Sequence, residues 1–244
     1  MGDNRVVLVT SYAKGGIGYE YCKAFAEQNC HVFASDISQR MHDMLDLSSY
    51  NIETLELDVA SDESVATAEG AYEINTLGQL RLVQQVVPYM ASRQSGSIVN
   101  VGIVVGRVPT PWAGSNCASK AAVHAMSNTL RVELRPFGVN VVLVVPGAVR
   151  SNLGRANTDR VGNYDWKLYK EFKEAIAERA RASQGGKATD ATIFARHVVK
   201  KVLSPRPPKQ IIFGHMTGLF AMLSWSPLWV RDHFFATRFN LKKV

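Results

Sequence analysis

An amide and an amine four residues apart begin the chemistry of this 244-residue chain. Asn116 and Lys120 fall in a stretch, Gly114 to Arg135, that reads as one long helix, and the spacing puts both on one face. Far upstream, Ser11-Tyr12-Ala13-Lys14-Gly15-Gly16-Ile17-Gly18 forms a turn rich in glycine, and Asp36 follows 18 residues after Gly18. A glycine-rich turn opening a helix can hold a pyrophosphate on backbone N–H groups. An acid at that distance can bond the ribose hydroxyls of a dinucleotide. The competing reading of Asp36 is a helix cap.

These residues need a frame, and the flanking sequence supplies one. Arg5–Thr10 reads as a buried strand, Tyr19–Gln28 as a helix, His31–Ser35 as a second strand and Glu53–Leu57 as a third. Ser97–Val101, the Gly114–Arg135 helix and Asn140–Val145 make a strand–helix–strand unit of a parallel sheet. Ligands of such sheets bind beyond the carboxyl ends of the strands. Val101-Gly102 and Pro146-Gly147 carry glycine at those ends, where a flat ligand would need close backbone approach. Gly78–Met90, Trp166–Ala182 and Thr189–Leu203 read as further helices, and Gln210–Phe213 as a last edge strand.

The whole pattern resembles the short-chain dehydrogenase/reductase family. That family carries a serine after the strand before the long helix, Tyr-x-x-x-Lys on the helix, and Pro-Gly after the next strand. Here Asn116-Cys117-Ala118-Ser119-Lys120 occupies the Tyr-x-x-x-Lys position and Ile103 the serine position. The resemblance implies a Rossmann-like, doubly wound α/β fold and a nicotinamide-dependent oxidoreductase. It places Thr10, Gly15, Gly16, Ile17, Gly18, Asp36, Asp58, Val59, Lys120, Pro146, Gly147 and Ser151 around the cofactor. It makes Lys120 and Asn75 catalytic, with Ile103 and Asn116 as degenerate positions. Asn116 has no usable proton to give and Ile103 has no hydroxyl. Either NAD or NADP fits the resemblance. The charge of Asp36, which would repel a 2′-phosphate and is followed by Ile37 rather than Arg or Lys, favours NAD.

Two departures set expectations. Thr10-Ser11 replaces the family's Thr-Gly, so a left-handed backbone at Ser11 would be strained. Only sixteen residues separate Asp58 from Asn75, too few for the strand-helix-strand crossover that belongs there, and no Asn-Asn-Ala-Gly occurs in the chain. One central strand is missing on this reading, through a truncated gene product or a degenerate relative. The two strands left facing the gap run the same way, so Val6–Val9 is expected to close up directly against Ile98–Val101. The alternative is two half-sheets.

Composition bounds the rest. Apolar residues make up 46% and charged residues 20%, which suits one sizeable α/β domain. Cys22, Cys30 and Cys117 have no metal spacing. MGDNRVVLVT enters a strand at once, so no secretory leader is expected. Residues 1–209 read as the dinucleotide-binding domain and 210–244 as its apolar, basic tail.

Net charge is +7, and nine Lys/Arg against one acid follow Asp190. With no nucleic-acid motif, an anionic lipid surface or substrate fits better than nucleic acid. Gln210 to Val230 holds no charged residue. It reads as membrane-contacting, as a core helix closing a pocket, or as a span. Together with the tail's Pro-Leu-Trp-Val-Arg-Asp, it is similar to the acyl-dihydroxyacetone-phosphate reductase group of the family. That implies a lipid-like ketone substrate, a homo- or hetero-oligomer, and a site on the cytoplasmic side of the endoplasmic reticulum or on lipid droplets, with the cytosol as alternative.

Overall fold

The computed structural model describes residues 5–37, 47, 50, 52–56, 72–162 and 167–241. Among these residues six parallel strands are divided between two three-stranded sheets. β1 (Val6–Thr10), β2 (His31–Asp36) and β3 (Ile52–Glu56) pair in that order. β4 (Gly96–Val101), β5 (Val139–Pro146) and β6 (Gln210–Phe213) form the second sheet. β5 lies between two partners and is buried at every position but Asn140, which is why its sequence is a continuous apolar run. Helices α1 (Ile17–Ala26), α2 (Gly78–Ser92) and α3 (Gly114–Glu133) alternate with these strands. Then come α4 (Asn152–Gly162), α5 (Lys173–Arg181), α6 (Ala191–Val202), α7 (Thr217–Trp225) and α8 (Leu228–Arg238).

The expected closure of β1 on β4 does not occur. Among the described residues each has a single ladder partner, β2 and β5 respectively, and the strands stand as two half-sheets. Val6 at the start of β1 is 66% exposed. What joins the halves is side-chain packing, not a backbone ladder. One core cluster unites Val9, Val32 and Ala34 of the first sheet with Val142, Val144 and Ile211 of the second. Its filling is Cys22 and Phe25 of α1 with Phe194, Val198 and Val199 of α6. Polar straps run along the same seam. Arg196 donates to both carboxylate oxygens of Glu27, at 3.0 and 2.8 Å, and Thr192 Oγ1 donates to Glu20 at 2.9 Å. Asp190 caps α6, accepting from the backbone N–H groups of Thr192 and Ile193.

α4 is a helix that the sequence reading does not anticipate. The expected Trp166–Ala182 helix is in part a 3₁₀ turn, Lys167–Phe172, and becomes α-helical as α5. The tail takes the core reading on one side. Phe220, Leu223, Phe235 and Phe239 pack with Val104, Val108, Val123, Leu143 and Val145. Among the described residues no helix is long and apolar enough to cross a membrane. On the other side, Met222, Trp225, Leu228 and Trp229 stand in solvent where α7 turns into α8.

Candidate active site

The glycine turn has the backbone the sequence calls for. Gly15 is left-handed (φ +76°), and a Cβ there would stand 2.3 Å from Asn152 Nδ2. A Cβ at Gly18 would meet the Ser11 carbonyl at 2.3 Å, so glycine lets α1 pack tightly onto the turn. α1 starts at Ile17 with Gly16 as its N-cap and no side chain capping it, which leaves N-terminal N–H groups for an anion. Ser11 is left-handed (φ 58°) where the family has glycine, a conformation that costs a non-glycine residue roughly 1–2 kcal/mol.

Asp36 ends β2 and is buried. Its Oδ2 accepts from Ala13 N at 3.1 Å and its Oδ1 from Ile37 N at 2.9 Å, so it ties the second strand to the glycine turn. Tyr12 is fully buried beside it. Burial first, and then the Asp36 charge, push the phenol up to about 12. Asp58 and Val59 lie outside the described residues. Thr10 pairs with Ser35 at the end of β1.

α3 carries Asn116, Lys120 and His124 at four-residue steps, exposed, half-buried and buried in turn. Lys120 Nζ donates to the Val101 carbonyl at 2.9 Å, and burial pushes its ammonium down to about 8. Asn75 sits in a π-helical turn, Glu73–Leu77, that leads into α2. Its Nδ2 donates to Ser119 Oγ at 3.1 Å, and Thr76 Oγ1 donates to the Ser119 carbonyl at 3.1 Å. Ser119 Oγ donates in turn to the Asn116 carbonyl. Asn75 is therefore fastened to the helix of Lys120 although 44 residues separate it from Ser119. Ile103 packs its side chain against the tail cluster, and its backbone N–H donates to His124 Nε2 at 3.3 Å.

The glycines at the two strand ends are required by close approaches within the fold. A Cβ at Gly102 would stand 2.2 Å from His124 Nε2, and one at Gly147 would stand 2.1 Å from the His215 carbonyl. Gly147 N donates to the Phe213 carbonyl, and Pro146 pairs with Phe213 across the β5–β6 ladder. Ser151, expected at the nicotinamide, accepts from Gly154 N at 3.4 Å within the first turn of α4. Asn152 follows it onto the glycine turn, its N–H donating to the Gly15 carbonyl at 3.0 Å and its Nδ2 to the Lys14 carbonyl at 2.5 Å.

Sequence reasoning missed His124, Asn152 and Gln79. His124 had a signal, its four-residue step from Lys120. Its ring is held neutral by burial and by the charges of Arg107 and Lys120, which together push it down to about 4. Asn152 had none, because its role is a long-range contact. Gln79 lines a cavity of about 130 Å³ with Thr10, Ser11, Asn75, Leu82 and Lys120. The cavity lies where the end of β1, the start of α2 and the amine of α3 meet.

Two half-sheets of parallel strands, a glycine turn with an acid behind it and a lysine on a crossover helix together have the form of a dinucleotide-binding frame. A model of the short chain dehydrogenase family matches residues 60–161. A short-chain dehydrogenase of Hypocrea virens is 30% identical over 99% of this chain and 95% of its own length. That alignment spans 283 positions, more than the 244 residues available here, so the relative carries residues with no counterpart in this chain. The NADPH-dependent 1-acyldihydroxyacetone phosphate reductase of Saccharomyces cerevisiae is 24% identical over 98% of this chain and 92% of its own. Among solved structures, a short-chain dehydrogenase of Streptomyces avermitilis superposes with a TM-score of 0.73 at 21% identity, covering 98% of this chain and 96% of its own. The chain belongs to the short-chain dehydrogenase family, a family of oxidoreductases.

Proposed function

We propose that this chain is a nicotinamide-dependent oxidoreductase of lipid-like ketones, of the acyl-dihydroxyacetone-phosphate type, whose carbonyl-reducing step is impaired. The observation that carries this is the surroundings of α3: Lys120 lies on it and Asn75 is bonded to it through Ser119, while Asn116 on it and Ile103 beside it offer no acid. The reductase of Saccharomyces cerevisiae, similar along nearly the whole chain, supports the substrate class.

The residues present fit the cofactor at three points. The uncapped start of α1 suits its pyrophosphate, Asp36 its ribose, and the Lys120 amine its reacting end. Asn152 stands against Gly15 and would have to yield to it. A bound nicotinamide supplies hydride. The chain would have to supply the proton for the ketone oxygen, and the amide of Asn116 cannot. The direct test is turnover of a ketone with either cofactor.

NAD is the cofactor we favour, because a buried carboxylate at the ribose would repel a 2′-phosphate. Calorimetric titration is expected to show tighter NADH than NADPH binding. Since Asp36 also holds the Ala13 N–H, Asp36→Asn is the cleaner variant: it keeps an acceptor oxygen, removes the charge and should narrow the preference. Tighter NADPH binding by the unmodified chain would contradict the assignment.

The exposed corner of Met222, Trp225, Leu228 and Trp229 supports a tail lying on the cytoplasmic surface of the endoplasmic reticulum or of lipid droplets. Its nearest cations are engaged within the fold. Arg231 donates to the carbonyls of Leu223, Ser224 and Ser226, and Arg238 pairs with Glu178. Deleting the tail would strip the core of Phe220 and Phe235, so the informative change is Trp225→Ser with Trp229→Ser. The double variant is expected to leave the microsomal fraction while staying folded. Finding the unmodified protein wholly in the supernatant would count against this. The outer faces of α2 and α3, exposing Tyr89 and Val132, support an oligomer formed through those helices.

A further inference from the structure

We infer that Arg179 holds a phosphate or carboxylate group of the substrate, with Thr110 setting its guanidinium in place. The inference rests on the reading of the chain as an oxidoreductase of lipid-like ketones, and it adds the residue that grips their charged end. α5 buries Ile176 and Ala180 and leaves Lys173, Glu174, Glu178 and Arg181 exposed. Arg179 is a half-buried cation at the edge of the buried side. Phe172, Ala175 and Arg179 recur at steps of three and four, so they form one stripe. That stripe meets the loop before α3. Phe172 pairs with Trp112 at 6.1 Å between ring centres, and Ala175 packs with the cluster that Trp112 also joins. Arg179 Nε donates to Thr110 Oγ1 at 3.4 Å. The guanidinium is also close enough to Cys117, the residue after Asn116, for the thiol to act on its charge. The cation therefore sits beside the start of the helix that carries Asn116 and Lys120.

Burial pushes this guanidinium below its ordinary value, and a charge in such a place needs a partner. Among the described residues no carboxylate pairs with Arg179, and no acceptor takes its Nη N–H groups. The acids of α5 are engaged elsewhere, Glu174 with Arg181 and Glu178 with Arg238. A planar fork of N–H donors is matched by the oxygens of a phosphate or a carboxylate. The wider surroundings bring no acid either. Arg107 donates to Gln210 and Lys120 to the Val101 carbonyl, and the charges of both push His124 down with no carboxylate opposing them. The seat is also rigid. Thr110 stands between Pro109 and Pro111, and Trp112 is left-handed (φ 56°), which a bulky residue keeps only where its surroundings hold it. The rings of Phe172 and Phe239 do so. They put an apolar wall next to the cation, which suits an amphiphile with an anionic end. Two kinds of ketone share that chemistry, a phosphate ester and an oxo-acid.

The test uses the full-length protein without nucleotide and two probes, glycerol 3-phosphate and butanoate, each titrated at constant ionic strength against chloride and followed by ligand-observed NMR. At least one probe should bind saturably, and Arg179→Gln should weaken it by about ten-fold or more. Arg181→Gln removes the same charge from the exposed side of α5 and should leave the affinity unchanged. Which probe binds identifies the anionic group. Binding of neither probe, binding indifferent to Arg179→Gln, or equal weakening by both variants would overturn the inference. Should Arg179→Gln fail to fold, Arg179→Lys keeps the charge and loses the fork, and undiminished binding in it is equally decisive. Because neither nucleotide nor turnover enters, failure of the oxidoreductase reading is seen separately, as absence of NADH binding in a chain that still holds the anion through Arg179.

Discussion

Purified protein given a ketone with NADH or NADPH is expected to turn over no faster than background. Positioned proton donors contribute roughly 10²–10⁴-fold to such reactions, and the two positions that would hold them carry an amide and an alkyl group. Substituting neighbours are poorly placed. Ser119 Oγ, the nearest hydroxyl on the helix, donates to the Asn116 carbonyl and accepts from Asn75. Restoring Ile103→Ser and Asn116→Tyr together should recover little. Ile103 is packed against the tail cluster, and neither residue lines the cavity that Lys120 faces. The check is nicotinamide oxidation measured alongside product formation, and robust turnover by the unmodified chain would refute the impairment.

Phe194→Ala is expected to destabilise the fold by about 3–5 kcal/mol, the range for removing a buried aromatic. Phe194 is fully buried in the cluster that spans both half-sheets. Its ring meets Tyr21 of α1 at 6.2 Å and Phe213 of β6 at 6.1 Å. Among the described residues no ladder connects β1 to β4, so this packing carries coupling that a continuous sheet would share with backbone hydrogen bonds. Urea unfolding of the variant should show a lower midpoint and a broadened or split transition. Phe137→Ala, at a half-exposed ring, is the control expected to change stability little. A Phe194→Ala loss under about 1 kcal/mol would mean the halves are held together by something other than the α1–α6 seam.

Much of this was legible in the residues. Ile211–Phe213 and Val141–Val145 are strands because they are short, uninterrupted apolar runs. The left-handed Ser11 follows from a turn whose geometry does not depend on the residue that fills it. Long-range outcomes were not legible. Periodicity says that β1 and β4 are buried-type strands, but not that helix packing would leave them unpaired. Glycines 102 and 147 look the same in sequence whether a ligand, a histidine ring or a backbone carbonyl comes close. The tail's arginines read as a basic surface, yet Arg231 is spent on three carbonyls at the end of α7, a contact that no charge count reveals. α4 was hidden because its sequence, NLGRANTDRVG, has few apolar residues to mark a buried face.

The central claim is that the chain keeps the hydride side of its site and has lost the proton side. The most direct measurement is the fluorescence of NADH titrated into the full-length protein, followed in the same cuvette after adding a ketone. Saturable enhancement that then holds steady, with no alcohol formed, is the predicted result. Decay of the signal with matching product, or no enhancement from demonstrably folded protein, would contradict it.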